Sequence, residues 1–254
     1  MKSFRQKQRP KKNTLIIGRN AVKEALHNGL ALDRIYLDTK AAGDEIIAVK
    51  KLAAQYGVPV NYVPAAKLNS FNISNHEGCV AQLARVHYQH LQNVISHVTE
   101  CGEAPLLLLL DGITDIRNIG GIARTAYCLG VHALVIPDKG VGALNEDAIL
   151  TSAGALEKIP VCRVNSLMKA VDELHLNGIK VYASEMKAAK NFTECNFSEP
   201  CAIVLGSEEK GIYPALMKVC DEKIKIPMAG DFESLNVSVA AGIILYEVMR
   251  QRVA

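Results

Sequence analysis

Three polar segments hold the residues of this chain that could do chemistry. NIGGIAR carries Asn118 and Arg124, and the Arg124 guanidinium offers five fixed donors that suit a phosphate. LGSEEKGI carries Glu208, and IPMAGDFESLNVSVAAG carries Ser234 and Asn236. In open α/β sheets, ligands bind beyond the carboxyl ends of the strands. These segments are therefore the candidate site.

Each segment also has a purely structural explanation. We expect a helix to begin near Asn118, with Gly120 and Gly121 in its first turn. Two glycines there suggest that a ligand approaches the backbone closely, but a packing glycine explains them as well. Ser234 and Asn236 could cap the helix that follows them or hold a ligand there. The chain lacks the GxGxxG and GxxxxGK[ST] patterns, so an ordinary nucleotide site is not expected.

The apolar pattern around these segments predicts a mostly parallel α/β sheet. The continuous apolar run at 106–110 is typical of a central strand covered on both faces. Further strand-like runs, with helical patterns between most of them, lie at 133–136, 159–164, 179–183, 201–205 and 223–226. A stripe at spacings of three and four predicts a final helix, and consists of Val237, Ala240, Ala241, Ile244, Leu245, Val248 and Met249.

Length and composition shifts predict two domains within the 254 residues. Residues 13–86 should form a small α/β domain, with helical patterns at 20–27 and 44–56 and strand patterns at 34–37, 60–63 and 79–83. We interpret residues 87–104 as a linker that contains a short amphipathic helix. Residues 105–254 form the second domain.

The basic excess lies in residues 1–12. This tail has six Lys or Arg residues and no acidic residue, whereas the other 23 bases and 26 acids sum to −3, for a net charge of +3. We expect the tail to be disordered. It could bind a polyanion such as RNA, or it could serve only solubility.

The seven cysteines have no repeated short spacing, which predicts reduced thiols and a cytoplasmic location. The chain shows no N-terminal apolar stretch, and the apolar run at 106–110 is too short to span a membrane. His76 and Cys79 lack a second pair of metal ligands, so no metal site is expected.

Taken together and in order, the three segments resemble the motifs of the SpoU family of RNA ribose 2′-O-methyltransferases. The resemblance covers residues 105–254. The segment GRNAVKEAL with the following LDRIYL is similar to the substrate-binding domain of bacterial ribosomal-RNA members. One departure is Glu209, where the family more often has Gly. Because Glu does not readily adopt a left-handed backbone, the turn could be shaped differently here.

The resemblance implies an N-terminal α/β RNA-binding domain and a SPOUT-type α/β catalytic domain knotted as a trefoil. It implies S-adenosylmethionine as methyl donor, bound by Leu205, Gly206, Ile226, Met228, Leu235 and Asn236. It further implies catalytic roles for Arg124, Asn118, Glu208, Ser234 and Asn236. Because its pKa exceeds about 12, Arg124 is a poor base, and we expect it to clamp a phosphate and stabilise the developing alkoxide. A homodimer through the catalytic domain is also implied.

The implied reaction is methyl transfer to a ribose 2′-hydroxyl in RNA, in the first place a guanosine of large-subunit ribosomal RNA. Two alternatives stay open. One is a transfer-RNA 2′-O-methyltransferase, and the other is a non-catalytic RNA-binding or ribosome-assembly protein of the same fold. The presence of Asn118, Arg124, Glu208 and Asn236 favours catalysis.

Overall fold

The computed structural model describes residues 15–71, 73, 75–142, 144–230 and 234–253. The chain divides into two compact units, with the boundary between Arg85 and Val86. The predicted basic tail, residues 1–12, and residues 231–233 of the third motif lie outside the described residues. Among the helices that are described, none is long and apolar enough to cross a membrane.

A mixed sheet organises the described part of unit 1. Its strands are β1 (Leu15–Ile17), β2 (Leu32–Asp38), β3 (Val60–Val63) and β4 (Cys79–Leu83), and its helices are α1 (Arg19–His27), α2 (Asp44–Gln55) and α3 (Ala65–Asn69). The strand order is β1-β4-β2-β3, in which only the β2–β3 pair is parallel within the described residues. Val22 and Leu26 of α1 pack with Ile46 and Val49 of α2 in the core over this sheet.

A parallel sheet organises unit 2. Its described strands are β5 (Tyr88–Gln89), β6 (Leu106–Asp111), β7 (Ala133–Pro137), β8 (Val161–Val164), β9 (Lys180–Ser184), β10 (Lys190–Asn191), β11 (Cys201–Gly206) and β12 (Glu222–Lys225). They follow the order β10-β12-β9-β11-β6-β7-β8-β5, and every neighbouring pair is parallel. The predicted α/β class with a mostly parallel sheet is confirmed.

Helices cover both faces of this sheet. They are α4 (Leu91–Glu100), α5 (Ile116–Cys128), α6 (Glu146–Thr151), α7 (Leu167–Leu176), α8 (Pro214–Val219) and α9 (Val237–Val253), with short 3₁₀ turns at Ala155–Glu157 and Phe192–Glu194. The apolar faces of α5, α6 and α9 share one core, and those of α4, α7 and α8 share the other. Alternate residues of β6 enter the two cores, Leu108 on one side and Leu109 on the other. This double burial explains the continuous apolar run at 106–110.

Residues 87–104, predicted to be a linker, contribute to the core of unit 2 instead. Strand β5 extends the sheet by pairing with β8. Helix α4 buries Leu91, Val94, Ile95 and Val98 against the same sheet. The linker was predicted from the polar residues and Gly102 that follow the amphipathic helix. A two-residue strand is too short to leave a recognisable alternation in the sequence, so β5 gave no sign against it.

The final helix, α9, buries the predicted stripe. Val237, Ala241, Ile244, Leu245 and Val248 are buried, whereas Ala240 and Met249 are half-buried. At its end, the Arg252 guanidinium donates to the carbonyl oxygens of Phe197 (2.9 Å), Glu199 (2.9 Å) and Ala104 (2.5 Å). One side chain thus ties α9 to the segments that lead into β6 and β11.

Candidate active site

The three predicted segments meet at a hydrogen-bonded cluster in unit 2. Asn118 Nδ2 donates to Glu208 Oε1 over 3.0 Å. Asn236 Nδ2 donates to the same oxygen over 2.6 Å and to Asn118 Oδ1 over 3.0 Å. We call Asn118, Glu208 and Asn236 the Asn–Glu–Asn cluster. It joins residues that lie up to 118 positions apart in the chain.

Helix α5 places Asn118 in its first turn. The helix begins at Ile116, slightly earlier than predicted, because the Asp115 side chain caps it by accepting from the Arg117 main-chain N–H at 2.8 Å. The Arg117 side chain also bonds this carboxylate and holds the pKa of Asp115 below its usual value. Asn118 is therefore held on a capped helix start next to the end of β6.

The two glycines of α5 serve helix packing. A Cβ atom on Gly120 would lie 2.2 Å from Thr151 Oγ1, on α6. One on Gly121 would lie 3.3 Å from Ser238 Cβ, on α9. Neighbouring helices make the close approach that these glycines predict, so no ligand is needed to explain them.

Asn236 is both a helix cap and a member of the cluster. Its Oδ1 accepts from the Ser238 main-chain N–H at 3.0 Å, as an N-cap side chain does. Its amide nitrogen is thereby turned toward Glu208 and Asn118. The main-chain N–H of Val237 also faces Glu208 Oε1, at 3.4 Å. The carboxylate thus lies at the amino end of α9, where the helix dipole favours negative charge.

A tight loop presents Glu208. Ser207 and Gly211 exchange main-chain hydrogen bonds of 3.2 and 2.8 Å across it. A Cβ atom on Gly206 would lie 2.2 Å from the carbonyl carbon of Gly211, so only glycine fits at that position. The left-handed residue of this loop is Gly211, with φ of +65°.

Glu209 adopts an ordinary backbone conformation in this loop. The described non-glycine residues with positive φ are Asn75, Glu77 and Ala153. The expectation that a Glu in place of Gly could change the turn therefore has no basis in the backbone, because the left-handed conformation falls two residues later, on Gly211.

A cavity of about 550 Å³, which we call the donor cavity, lies beside the cluster. Four predicted donor-binding residues line it, namely Leu205, Gly206, Ile226 and Leu235, and so does the predicted catalytic residue Ser234. Glu208 lines it too. Within the described residues, the predicted donor residues Met228 and Asn236 are outside its wall, and Asn236 belongs to the cluster instead.

Sequence reasoning missed one wall of the donor cavity, Ser184 to Lys187. Ser184 is the last residue of β9 and the others follow it, and β9 lies between β11 and β12 in the sheet. The signal was present, because the 179–183 run also ends in a polar segment, SEMK. Without the strand order, however, its proximity to the other turns could not be inferred.

A second cavity, of about 750 Å³, adjoins the donor cavity. Both cavities are lined by Ser207, Glu208, Lys210, Gly211 and Val237. The second one alone is lined by three further carboxylates and an aromatic ring, from Asp111, Asp115, Glu209 and Tyr213. We call it the acidic cavity.

Arg124 lies apart from this arrangement. It is exposed on α5 and lines neither cavity. Across the described part of the chain, its guanidinium has no hydrogen bond or ion pair. The structure therefore joins Asn118, Glu208 and Asn236 in the cluster and places Glu208 and Ser234 in the wall of the donor cavity. It leaves Arg124 exposed on α5.

The thiols and potential metal ligands of the described residues contribute nothing to this site. All seven cysteines are free. Burial raises the pKa of Cys79 and of Cys162 to about 12. A search of the described ranges finds no group of three His, Cys, Asp or Glu residues that could hold a metal ion.

Two family matches together cover most of the chain. Residues 105–246 match the SpoU rRNA Methylase family, and residues 15–89 match the RNA 2′-O ribose methyltransferase substrate-binding family. The chain belongs to the SpoU family. It is an RNA 2′-O-methyltransferase, and its methyl donor is S-adenosylmethionine.

Individual SpoU relatives agree with this assignment. YacO of Bacillus subtilis, which is named for the TrmH family of tRNA/rRNA methyltransferases, is 38% identical over 93% of this chain and 95% of its own. Among solved structures, the SpoU methyltransferase AviRb from Streptomyces viridochromogenes, in complex with AdoMet, has a TM-score of 0.60. It is 24% identical, over 94% of this chain and 90% of its own, and so supports the fold.

A third comparison matches a smaller share of this SpoU chain. The A. aeolicus TrmH/SpoU tRNA modifying enzyme is 31% identical, with a TM-score of 0.53. The match covers 84% of that enzyme but 64% of this chain.

Proposed function

We propose that this enzyme methylates the ribose 2′-hydroxyl of a guanosine in large-subunit ribosomal RNA, using the Asn–Glu–Asn cluster as its catalytic centre. One observation carries the proposal. Residues from all three motifs converge on a single carboxylate oxygen, Glu208 Oε1, at the rim of the donor cavity.

The donor cavity suits S-adenosylmethionine in size and in chemistry. Its volume of about 550 Å³ is within the usual range for cofactor sites. Leu205, Ile226 and Leu235 give it apolar walls, and the loop around Gly206 brings main-chain groups to its surface. When bound, the cofactor supplies an electrophilic methyl group. We assign its binding to Leu205, Gly206, Ile226, Ser234 and Leu235.

Glu208 orients the attacking hydroxyl in this proposal. Its Oε1 is occupied by the amides of Asn118 and Asn236, which fix the carboxylate in one orientation. Its Oε2 has no hydrogen bond from the described residues, and it can accept one from a ribose hydroxyl. Fixing a nucleophile in line with an electrophile can contribute several kcal/mol to the lowering of a barrier. The proton acceptor is a neighbouring RNA phosphate or water.

Arg124 reaches the reaction from a second protomer. It is exposed on α5 beside Tyr127, which is 47% exposed, and α5 packs on α9, where Tyr246 is 57% exposed. We propose that this surface forms a homodimer in which Arg124 clamps the substrate phosphate at the partner's donor cavity. Its guanidinium then stabilises the developing alkoxide.

Subunit mixing tests the assignment of Arg124. Dimers of Arg124→Ala alone and of Asn236→Ala alone should both be inactive. If the two residues of one site come from different protomers, each mixed dimer holds one intact site. Random mixing should then restore about a quarter of wild-type activity. If Arg124 acts on its own protomer's site, mixing restores none.

Two structural expectations remain part of the proposal. We propose that the carboxyl-terminal segment of unit 2 passes through a loop to form a trefoil knot, as the family resemblance implies. The resemblance places the methyl donor in the knot, and the donor cavity is lined by residues of the segments at 205–212, 226 and 234–240. We also propose a cytoplasmic location, in keeping with seven free thiols.

Two observations favour ribosomal RNA over transfer RNA. Residues 15–89 match a family of substrate-binding domains. The solved tRNA modifying enzyme from A. aeolicus matches 64% of this chain, which is close to the share taken by unit 2 alone. A separate domain suits recognition of single-stranded RNA loops, whose bases can be splayed out and read.

Mass mapping of RNA identifies the substrate. Ribosomal and transfer RNA from a strain that lacks the gene should be incubated with the purified enzyme and S-adenosylmethionine. We expect one new 2′-O-methylguanosine in large-subunit ribosomal RNA. A new methyl group in transfer RNA would move the assignment to the alternative substrate. Absence of transfer to either RNA, with the cofactor bound, would favour the non-catalytic alternative.

A further inference from the structure

The acidic cavity shares a wall with the donor cavity. Ser207, Glu208 and Val237 line both, so a group held in the acidic cavity lies next to the proposed catalytic carboxylate. Its volume of about 750 Å³ is large enough for a nucleoside. What this cavity recognises follows from its remaining side chains.

Tyr213 supplies a flat apolar surface at this cavity. Its side chain is 62% exposed, although a free aromatic ring is costly to leave in water. Its main-chain N–H donates to Asp111 Oδ2 over 2.7 Å, which ties the residue to the end of β6. An exposed ring on an anchored backbone is a platform on which a nucleic-acid base can stack.

Glu209 faces the acidic cavity and not the donor cavity. Its neighbours Glu208 and Lys210 line both, whereas Glu209 lines the acidic cavity alone. Within the described ranges, its carboxylate has no hydrogen bond or ion pair. Asp111 presents a second acceptor, because the described residues bond only its Oδ2. Both groups accept hydrogen bonds and donate none when ionised.

These side chains determine which part of an RNA nucleotide, the phosphate or the base, can bind in the acidic cavity. The carboxylates of Asp111, Glu208 and Glu209 outnumber the ammonium group of Lys210 in the lining, so the cavity disfavours a phosphate. A base can stack on Tyr213 and donate to the carboxylates. Guanine carries two adjacent donors on its Watson–Crick edge, N1–H and the N2 amino group, whereas uracil, adenine and cytosine each carry one donor group there. Enzymes that act on an extruded nucleotide read the flipped base in this way.

We propose that the acidic cavity binds the guanine base of the target nucleotide, with Tyr213 stacking on its face and Glu209 accepting from its Watson–Crick edge. Glu209 is then a specificity-determining residue. This inference rests on the proposed ribose methylation, because it places the base beside the carboxylate that orients the ribose.

The test combines Glu209→Gln with a change in the RNA. Transcripts spanning the mapped nucleotide should be made with guanosine, with inosine, which lacks the N2 amino group, and with adenosine at that position. With wild-type enzyme, inosine should lower kcat/KM about tenfold, the value of one charge-assisted hydrogen bond. With Glu209→Gln, guanosine itself should be slower by about tenfold, and the guanosine-to-inosine ratio should fall to about twofold.

Tyr213 gives an independent readout. Tyr213→Ala should raise KM for the transcript roughly tenfold, from the loss of one stacked base. Tyr213→Phe keeps the ring and should recover most of that loss. Asp172→Asn, an exposed change on α7, controls for general loss of surface charge.

The possible outcomes separate the two proposals. If wild-type enzyme transfers no methyl group to any RNA, the proposed function fails. If it methylates RNA but the mapped nucleotide is not guanosine, the base assignment is overturned while ribose methylation stands. An unchanged guanosine-to-inosine ratio in Glu209→Gln likewise overturns the role of Glu209.

Discussion

The Asn236 side-chain amide donates to the Glu208 carboxylate over 2.6 Å and so joins the amino end of α9 to the loop after β11. The same carboxylate oxygen accepts from Asn118 at the start of α5. This shared oxygen fixes three otherwise separate segments relative to one another, as catalysis by the Asn–Glu–Asn cluster requires.

Replacing Glu208 tests whether methyl transfer requires both the negative charge and the hydrogen-bond-accepting oxygens of its side chain. Gln keeps an acceptor oxygen but makes weaker, neutral hydrogen bonds, so Glu208→Gln should lower kcat roughly tenfold. Glu208→Ala removes both and should lower kcat roughly a hundredfold, as expected for a misplaced nucleophile. Steady-state methyl transfer at saturating RNA measures this. If Glu208→Ala had the wild-type kcat, Glu208 would have no role in catalysis.

Gly206→Ala should abolish binding of S-adenosylmethionine. The added Cβ would lie 2.2 Å from the Gly211 carbonyl carbon, so the loop that carries Glu208 cannot close. Gly230→Ala is the matched control, because no atom of the described residues lies within 4 Å of its added Cβ and its φ is not left-handed. Calorimetric titration compares the two. Equal affinity in both variants would show that the loop closure does not matter for the donor.

The ionised Glu247 carboxylate should stabilise the folded protein by an amount that depends on pH. Hydrogen bonds from Arg250 and Gln251 lower its pKa from 4.5 to about 2. A lowered folded-state pKa stabilises the protein above pH 4.5, and this contribution declines as the pH falls toward 2. Urea unfolding should therefore show wild type more stable than Glu247→Gln at pH 7, with a gap that narrows below pH 4.5. A constant gap would contradict the assignment.

The alkylation rates of the cysteine thiols should depend on their burial and on whether they lie in the proposed dimer interface. Burial raises the pKa of Cys201 to about 11, so its thiolate is scarce at pH 8 and alkylation should be slow. Cys101 and Cys128 are exposed. Cys128 lies on α5 with Arg124, so the proposed dimer should cover it. At high protein concentration Cys128 should therefore be alkylated more slowly than Cys101, and its rate should rise on dilution. Equal rates at all concentrations would argue against an interface on α5.

Sequence predicted the secondary structure wherever burial leaves a continuous pattern. The run at 106–110 is apolar throughout because Leu108 and Leu109 enter different cores, and the α9 stripe follows one buried face. Strand β5 was not predicted, because its two residues are too few to show an alternation of apolar and polar side chains.

The candidate site was predictable in its composition but not in its contacts. Glu208 and Asn236 stood out as polar residues at the ends of apolar runs. The partners of Gly120 and Gly121 could not be inferred, because Thr151 and Ser238 belong to helices distant in sequence. For the same reason, the spacing of residues in the sequence could not predict that Arg124 lies outside the donor cavity.

The most direct test of the account asks where the methyl group goes. RNA from the strain lacking the gene should be labelled with tritiated S-adenosylmethionine by wild type and by Asn118→Ala, then hydrolysed in alkali. A 2′-O-methyl group blocks cleavage at its own linkage. We predict label in alkali-stable dinucleotides for wild type, and a loss of roughly a hundredfold for Asn118→Ala. Label in mononucleotides would mean base methylation and would contradict the account.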